Sequence, residues 1–65
     1  MPIVTISMLE GRDRETKKEL IKNVTAAITG TLKAPEESVR IIIKEMLFED
    51  YGIAGLPVKE YREKA

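Results

Sequence analysis

The sequence predicts an α/β chain: a single βαβ unit with two parallel strands and one long helix, plus a short C-terminal hairpin, assembled into an oligomer. Two patterns and one number predict it. Alternating β-branched and apolar residues at Pro2–Leu9, and a second apolar run at Val39–Met46, flank a segment whose apolar residues recur at three- and four-residue spacing. The number is the length. Sixty-five residues hold one domain, residues 1–65, with no cysteine and no histidine to staple it. A domain of this size buries only about 60% of its unfolded surface. Small domains need a disulfide, a metal or a partner chain, and only the last remains.

The first strand is expected over about residues 3–8. Pro2, Val4, Ile6 and Met8 share one side, and Ile3, Thr5, Ser7 and Leu9 the other. Glu10-Gly11-Arg12-Asp13 interrupts it, with Gly11 suited to a turn. Asp13 reads as a helix N-cap and Glu15 as a favourable first-turn charge. A helix over about 14–32 follows, with Leu20, Ile21, Val24, Ala27, Ile28, Thr31 and Leu32 on one face. Arg14, Glu15, Lys17, Lys18, Glu19 and Lys22 occupy the other face, where mixed signs read as a solvated surface rather than a phosphate patch. Gly30 weakens the helix near its end and Pro35 stops it.

Ala34–Ser38 forms a loop. Val39–Met46 is the second strand, and consecutive Ile41, Ile42 and Ile43 give it two apolar faces, as in a strand covered on both sides. Leu47–Gly55, with Gly52 and Gly55, reads as a turn or short hairpin, and Leu56–Ala65 as a charged tail, mobile or packed on a neighbour. Strand, helix, strand implies parallel pairing through a right-handed crossover. One helix covers one face of such a sheet, and a two-stranded sheet is marginal alone.

Composition excludes several functions. There is no disulfide scaffold, no cysteine or histidine metal site, and no nucleophile–base pair built on those residues. No apolar run approaches the roughly 18 residues of a membrane span, and the N-terminus lacks the pattern of a signal peptide, so a cytoplasmic protein is expected. Eleven basic and eleven acidic side chains leave a net charge of zero, against a bulk nucleic-acid binder.

The candidate for chemistry is Pro2. If Met1 is removed, as the small following side chain favours, its nitrogen becomes a secondary amine. An α-amino group titrates at about 7.7–8.0, and an apolar site or nearby cations lower that further, which suits a general base at neutral pH. The alternative is a proline that merely opens a strand, where it is tolerated. Arg12 and Arg40 are each able to hold a carboxylate through paired hydrogen bonds, or to be solvated surface residues. At about 3.3 Å per residue, strand one spans roughly 20 Å and separates Pro2 from Arg12. Arg40 begins a parallel strand and so lies at the Pro2 end. An Arg12 that serves Pro2 must then come from a neighbouring subunit. No pairing is assignable to Glu10, Glu36, Glu37, Glu49 or Asp50, and Tyr51 is either core or a pocket wall.

Met1-Pro2-Ile3-Val4, Leu9-Glu10-Gly11-Arg12, Ala34-Pro35, Ser38-Val39-Arg40-Ile41-Ile42-Ile43, Glu45-Met46 and Tyr51-Gly52-Ile53-Ala54-Gly55 occur in this order. Together they closely resemble the 4-oxalocrotonate tautomerase (2-hydroxymuconate tautomerase) family, the small-subunit branch of the tautomerase superfamily, over Pro2 to about Gly55. The resemblance implies a βαβ subunit paired into dimers, three dimers forming a homohexamer. It implies a cofactor-free isomerase of unsaturated oxo-dicarboxylates, in the catabolism of aromatic compounds. Pro2 would be the general base. Arg12 of a neighbouring chain would hold the distal carboxylate. Arg40, also from a neighbour, would bind the proximal carboxylate and polarise the 2-oxygen. The Leu9 backbone amide would order a water or that oxygen, and Tyr51 would be the aromatic wall. Two departures stand out. The wall is commonly phenylalanine in the family, and Tyr51 adds a hydroxyl. Ile53 is not the acid found near this position in relatives that hydrate unsaturated acids, which favours tautomerisation. The other functional reading is a non-catalytic oligomeric interaction module.

Overall fold

In the computed structural model, which describes residues 2–64, the elements run β1 (Ile3–Leu9), α1 (Arg14–Leu32), β2 (Arg40–Met46), β3 (Gly52–Ile53), β4 (Leu56–Pro57) and α2 (Val58–Lys64). β1 and β2 pair in parallel, from Ile3 opposite Arg40 to Leu9 opposite Met46. Arg40 N–H donates to the Pro2 carbonyl at 3.0 Å and Glu10 N–H to the Met46 carbonyl at 2.9 Å, closing the ladder at its two ends. β2 begins at Arg40 rather than Val39 because the Val39 N–H turns back to the Glu36 carbonyl at 3.1 Å, closing a 3₁₀ turn over Glu36–Ser38.

Paired residues share a face of the sheet. Val4 with Ile41, and Ile6 with Ile43, are half-buried. Glu45, opposite Met8 on that same face, meets Lys17 of α1 at 3.2 Å, so this is the face that the helix covers. Ile3 and Ile42 stand on the other face, 62% and 45% exposed. β2 is thus covered on one side within the chain, where its three isoleucines predicted two.

α1 starts and stops where its caps dictate. The Asp13 carboxylate accepts the Thr16 N–H at 2.8 Å. Lys33, left-handed at φ 59°, donates its N–H to the Thr29 carbonyl at 3.0 Å, and Pro35 follows. The buried stripe is narrower than the periodicity predicts. Leu20, Val24 and Ile28 are half-buried, whereas Ile21, Ala27, Thr31 and Leu32 are exposed. A sheet of two strands about 5 Å apart is too narrow to cover a full apolar face.

The expected tail requires correction. Residues 56–64 are ordered on the chain's own hairpin. β3 and β4 are antiparallel, and Ala54 and Gly55 between them both take positive φ (53° and 84°), as a two-residue type I′ turn demands. Val58 N–H donates to the Tyr51 carbonyl at 2.7 Å, and the Val58 side chain is 1% exposed. Glu60 in the first turn of α2 and Arg62 and Lys64 in the last complement the helix dipole.

Val39 and Val58 are the buried apolar residues among those described. The chain exposes 5200 Å², against about 4200 Å² for a compact monomer of its mass. Its radius of gyration is 15.3 Å, against about 11 Å.

Two outcomes are expected. Val58→Ala removes two buried methyl groups, costs about 2 kcal/mol, and lowers the denaturation midpoint while α2 amides lose exchange protection. The second concerns acid. The hydrogen bonds from the Thr16 side chain and backbone hold the Asp13 carboxyl below its ordinary value. A depressed carboxyl stabilises the fold above its unfolded pKa, about 3.9, and that contribution is lost as pH falls through the folded value. Thermal melts should therefore show Asp13→Asn closer to the parent at pH 3 than at pH 7.

Candidate active site

The sheet delivers the candidate residues to its two ends. At the amino end lie Pro2 and Arg40, joined through their backbones by the 3.0 Å bond already described. Their side chains diverge. Pro2 continues the half-buried alternation of Val4 and Ile6, while Arg40 sits with Ile3 and Ile42 on the uncovered face. The Arg40 guanidinium donates to the carbonyls of Glu37 and, at 3.4 Å, Val39.

At the carboxyl end, Leu9, Glu10, Arg12, Phe48, Tyr51 and Arg62 are among the residues that line an open concavity of about 570 Å³. Gly11 takes φ 121°, a conformation that side chains rarely adopt, and carries the chain from β1 round to Arg12. Alternation along β1 fixes its amides. Glu10 N–H points toward β2, so Leu9 N–H points away, to the open edge. Tyr51 is held by its own backbone. Its N–H donates to the Phe48 carbonyl at 3.3 Å and its carbonyl accepts from Val58. The ring is 41% exposed, and its hydroxyl has no hydrogen-bond partner among the described residues.

Three of the expected residues, Leu9, Arg12 and Tyr51, therefore meet, and Pro2 and Arg40 lie roughly 20 Å away at the other end of β1. Arg62 was not expected. Reading residues 56–65 as a tail removes it from view, although Val58 and Tyr61 at three-residue spacing and the acid-to-base order of Glu60, Arg62 and Lys64 mark a short helix. Lys17–Glu45 is the ion pair among the described residues, so Arg12, Arg40 and Arg62 keep charge uncompensated by a contacting carboxylate. Two arginines against one acid, Glu10, leave the cup net cationic, and with its aromatic wall it suits a planar organic anion. Among the described residues no cluster of acidic, histidine or cysteine side chains is able to hold a metal ion, and no helix is long and apolar enough to cross a membrane.

Comparison with known proteins gives the family. The family model described as "Tautomerase enzyme" matches residues 2–61. A probable tautomerase of Listeria monocytogenes is 46% identical over 56 residues, covering 86% of this chain and 92% of that protein. Among solved structures, a 4-oxalocrotonate tautomerase isozyme from Methylibium petroleiphilum superposes with a TM-score of 0.91 at 33% identity, covering 98% of this chain and all of that one. A heterohexamer 4-oxalocrotonate tautomerase from Chloroflexus aurantiacus gives 0.87 at 35% identity, covering 92% and 97%. The chain belongs to the tautomerase family of enzymes, in its 4-oxalocrotonate tautomerase group.

Proposed function

We propose that this chain is a cofactor-independent tautomerase that interconverts the dienol and oxo forms of 2-hydroxymuconate-like unsaturated dicarboxylates, with Pro2 as general base. The observation that carries the reading is the cationic concavity of Leu9, Arg12 and Tyr51, set at the opposite end of the sheet from Pro2. Met1 lies outside the described residues, and the reading requires its removal, since only then is the Pro2 nitrogen an amine.

In the proposed reaction the Pro2 nitrogen takes the proton of the 2-hydroxyl. The O–H bond breaks, the oxygen becomes a carbonyl, and the conjugated electrons move to the far carbon, which takes the proton from Pro2. No atom is gained or lost. Negative charge gathers on the 2-oxygen in the transition state, where the Arg40 guanidinium of a neighbouring chain stabilises it while holding the proximal carboxylate. Arg12 of a neighbour holds the distal carboxylate, and the two arginines together place the reacting carbon over the proline. The outward Leu9 amide is free to order a water or the 2-oxygen.

This scheme needs self-association. A second copy seated on the uncovered face supplies it; the heterohexamer from Chloroflexus supports an assembly of six chains, which we propose is here a homohexamer, a trimer of dimers. We place the enzyme in the cytoplasm, in aromatic catabolism, as one domain over 1–65 with a small dicarboxylate as its partner. Neither nucleic acid nor membrane enters the scheme.

Following 2-hydroxymuconate by absorbance tests the scheme. Pro2→Ala should lower kcat by about 10²–10⁴-fold, and full turnover in that variant refutes the mechanism. Arg40→Ala should lower kcat by about 10²-fold or more, whereas Arg12→Ala should chiefly raise KM. Ile42→Lys places a charge on the uncovered face. Light scattering should show a smaller species, with activity lost in parallel, and an active monomer would exclude a shared site.

A further inference from the structure

We propose that the Tyr51 hydroxyl is a specificity-determining group that selects substrates ending in a carboxylate over otherwise identical ones that do not. This rests on the tautomerase reading above and concerns the distal end of the same pocket. Four features converge on it. Tyr51 lines the concavity with Arg12 and Arg62 from two other segments, at the end of the site where the reading above puts the distal carboxylate. Its backbone is pinned at both the N–H and the carbonyl, the latter by the residue with the most deeply buried side chain, Val58. The Cα from which the ring projects is therefore held in place, so little backbone ordering is needed on binding. The hydroxyl has no hydrogen-bond partner among the described residues, so its donor is uncommitted. The lining also carries two arginines against one acid, Glu10, and neither arginine is in an ion pair among the described residues.

The chemistry separates the roles. The arginines supply charge, which attracts any anion and reaches across several ångströms. A phenol O–H supplies direction. It donates to an oxygen at a short, nearly linear distance and gains little beside an apolar terminus. Donation to a carboxylate is a charge-assisted hydrogen bond, stronger than a neutral one. With a substrate lacking the distal carboxylate, the hydroxyl returns to water at no gain. Tyr51 thus adds to discrimination rather than to the proton transfer, which takes place at Pro2.

The test compares 2-hydroxymuconate with 2-hydroxypenta-2,4-dienoate, the same dienol without the distal carboxylate, using Met1-processed protein and its Tyr51→Phe variant. Tyr51→Phe should reduce the kcat/KM ratio of the first to the second by about tenfold, through the dicarboxylate alone. It should weaken competitive inhibition by adipate, a saturated dicarboxylate, by a similar factor, and inhibition by hexanoate little. An unchanged ratio and unchanged adipate inhibition overturn the assignment and leave the tautomerase reading standing. Parent protein that turns over neither dienol refutes the reading, and the assignment with it.

Discussion

Everything in this chain follows from how little one helix covers. Two parallel strands make a ribbon one strand spacing wide, and α1 lies over one side of it. The helix side takes Val4, Ile6, Ile41 and Ile43, and the other side leaves Ile3 and Ile42 to solvent. No side chain of the βαβ unit except Val39 is buried. The result is an elongated molecule, 45 × 23 × 17 Å, with roughly 1000 Å² more surface than its mass requires. Apolar side chains left on that surface, Ile3 and Ile42 among them, favour association, which ties the proposed self-association to the fold as well as to the activity.

Parallel pairing also decides where chemistry gathers. Both carboxyl ends of the strands lie at the same edge, so the loop after β1 and the segment after β2 emerge side by side. Crevices for ligands form at that edge in open α/β sheets. Arg12 comes from the first of these segments and Tyr51 and Arg62 from the second, and a concavity forms between them. Pro2 opens β1 and is consigned to the opposite edge by the same arrangement. With its proposed base at one edge and the arginine-lined cup at the other, a βαβ unit on that reading is half of two sites rather than the whole of one.

Much of this was legible in the sequence. The first strand was carried by alternation, and the helix by its punctuation: Asp13 caps it and Pro35 follows its end, at the boundaries expected. What was not legible has physical causes. Periodicity marks which helix residues are apolar, but the width of the facing surface decides how many are buried, so Ile21 and Leu32 point outward. Three consecutive isoleucines describe a strand able to be buried on two sides and cannot say whether the second cover lies in the same chain. α2 is only seven residues long, just under two turns, so its signal is confined to the Val58–Tyr61 spacing and the order of its charges, too little to set it apart from a charged tail. Its stability comes from Val58 docking on the hairpin, a tertiary contact. Arg62 became visible only with that contact.

The types of residue present fit base chemistry without histidine or cysteine. The proposed base is an amine whose ordinary pKa is about 7.7–8.0, already near neutrality, so modest pressure suffices to free it. Arginine supplies that pressure and never titrates itself. On the proposed reading, guanidiniums gathered at an assembled site would disfavour a protonated amine beside them. A bound dianion would offset that positive charge and make the amine more basic, at the point where the proposed step has it take the hydroxyl proton. As that proton leaves, charge on the 2-oxygen again falls to arginine to stabilise. In the proposed scheme the same cations prepare the base, hold the substrate and stabilise its transition state, and for this the zero net charge of the chain is no obstacle, because the positive charge is placed locally rather than in excess.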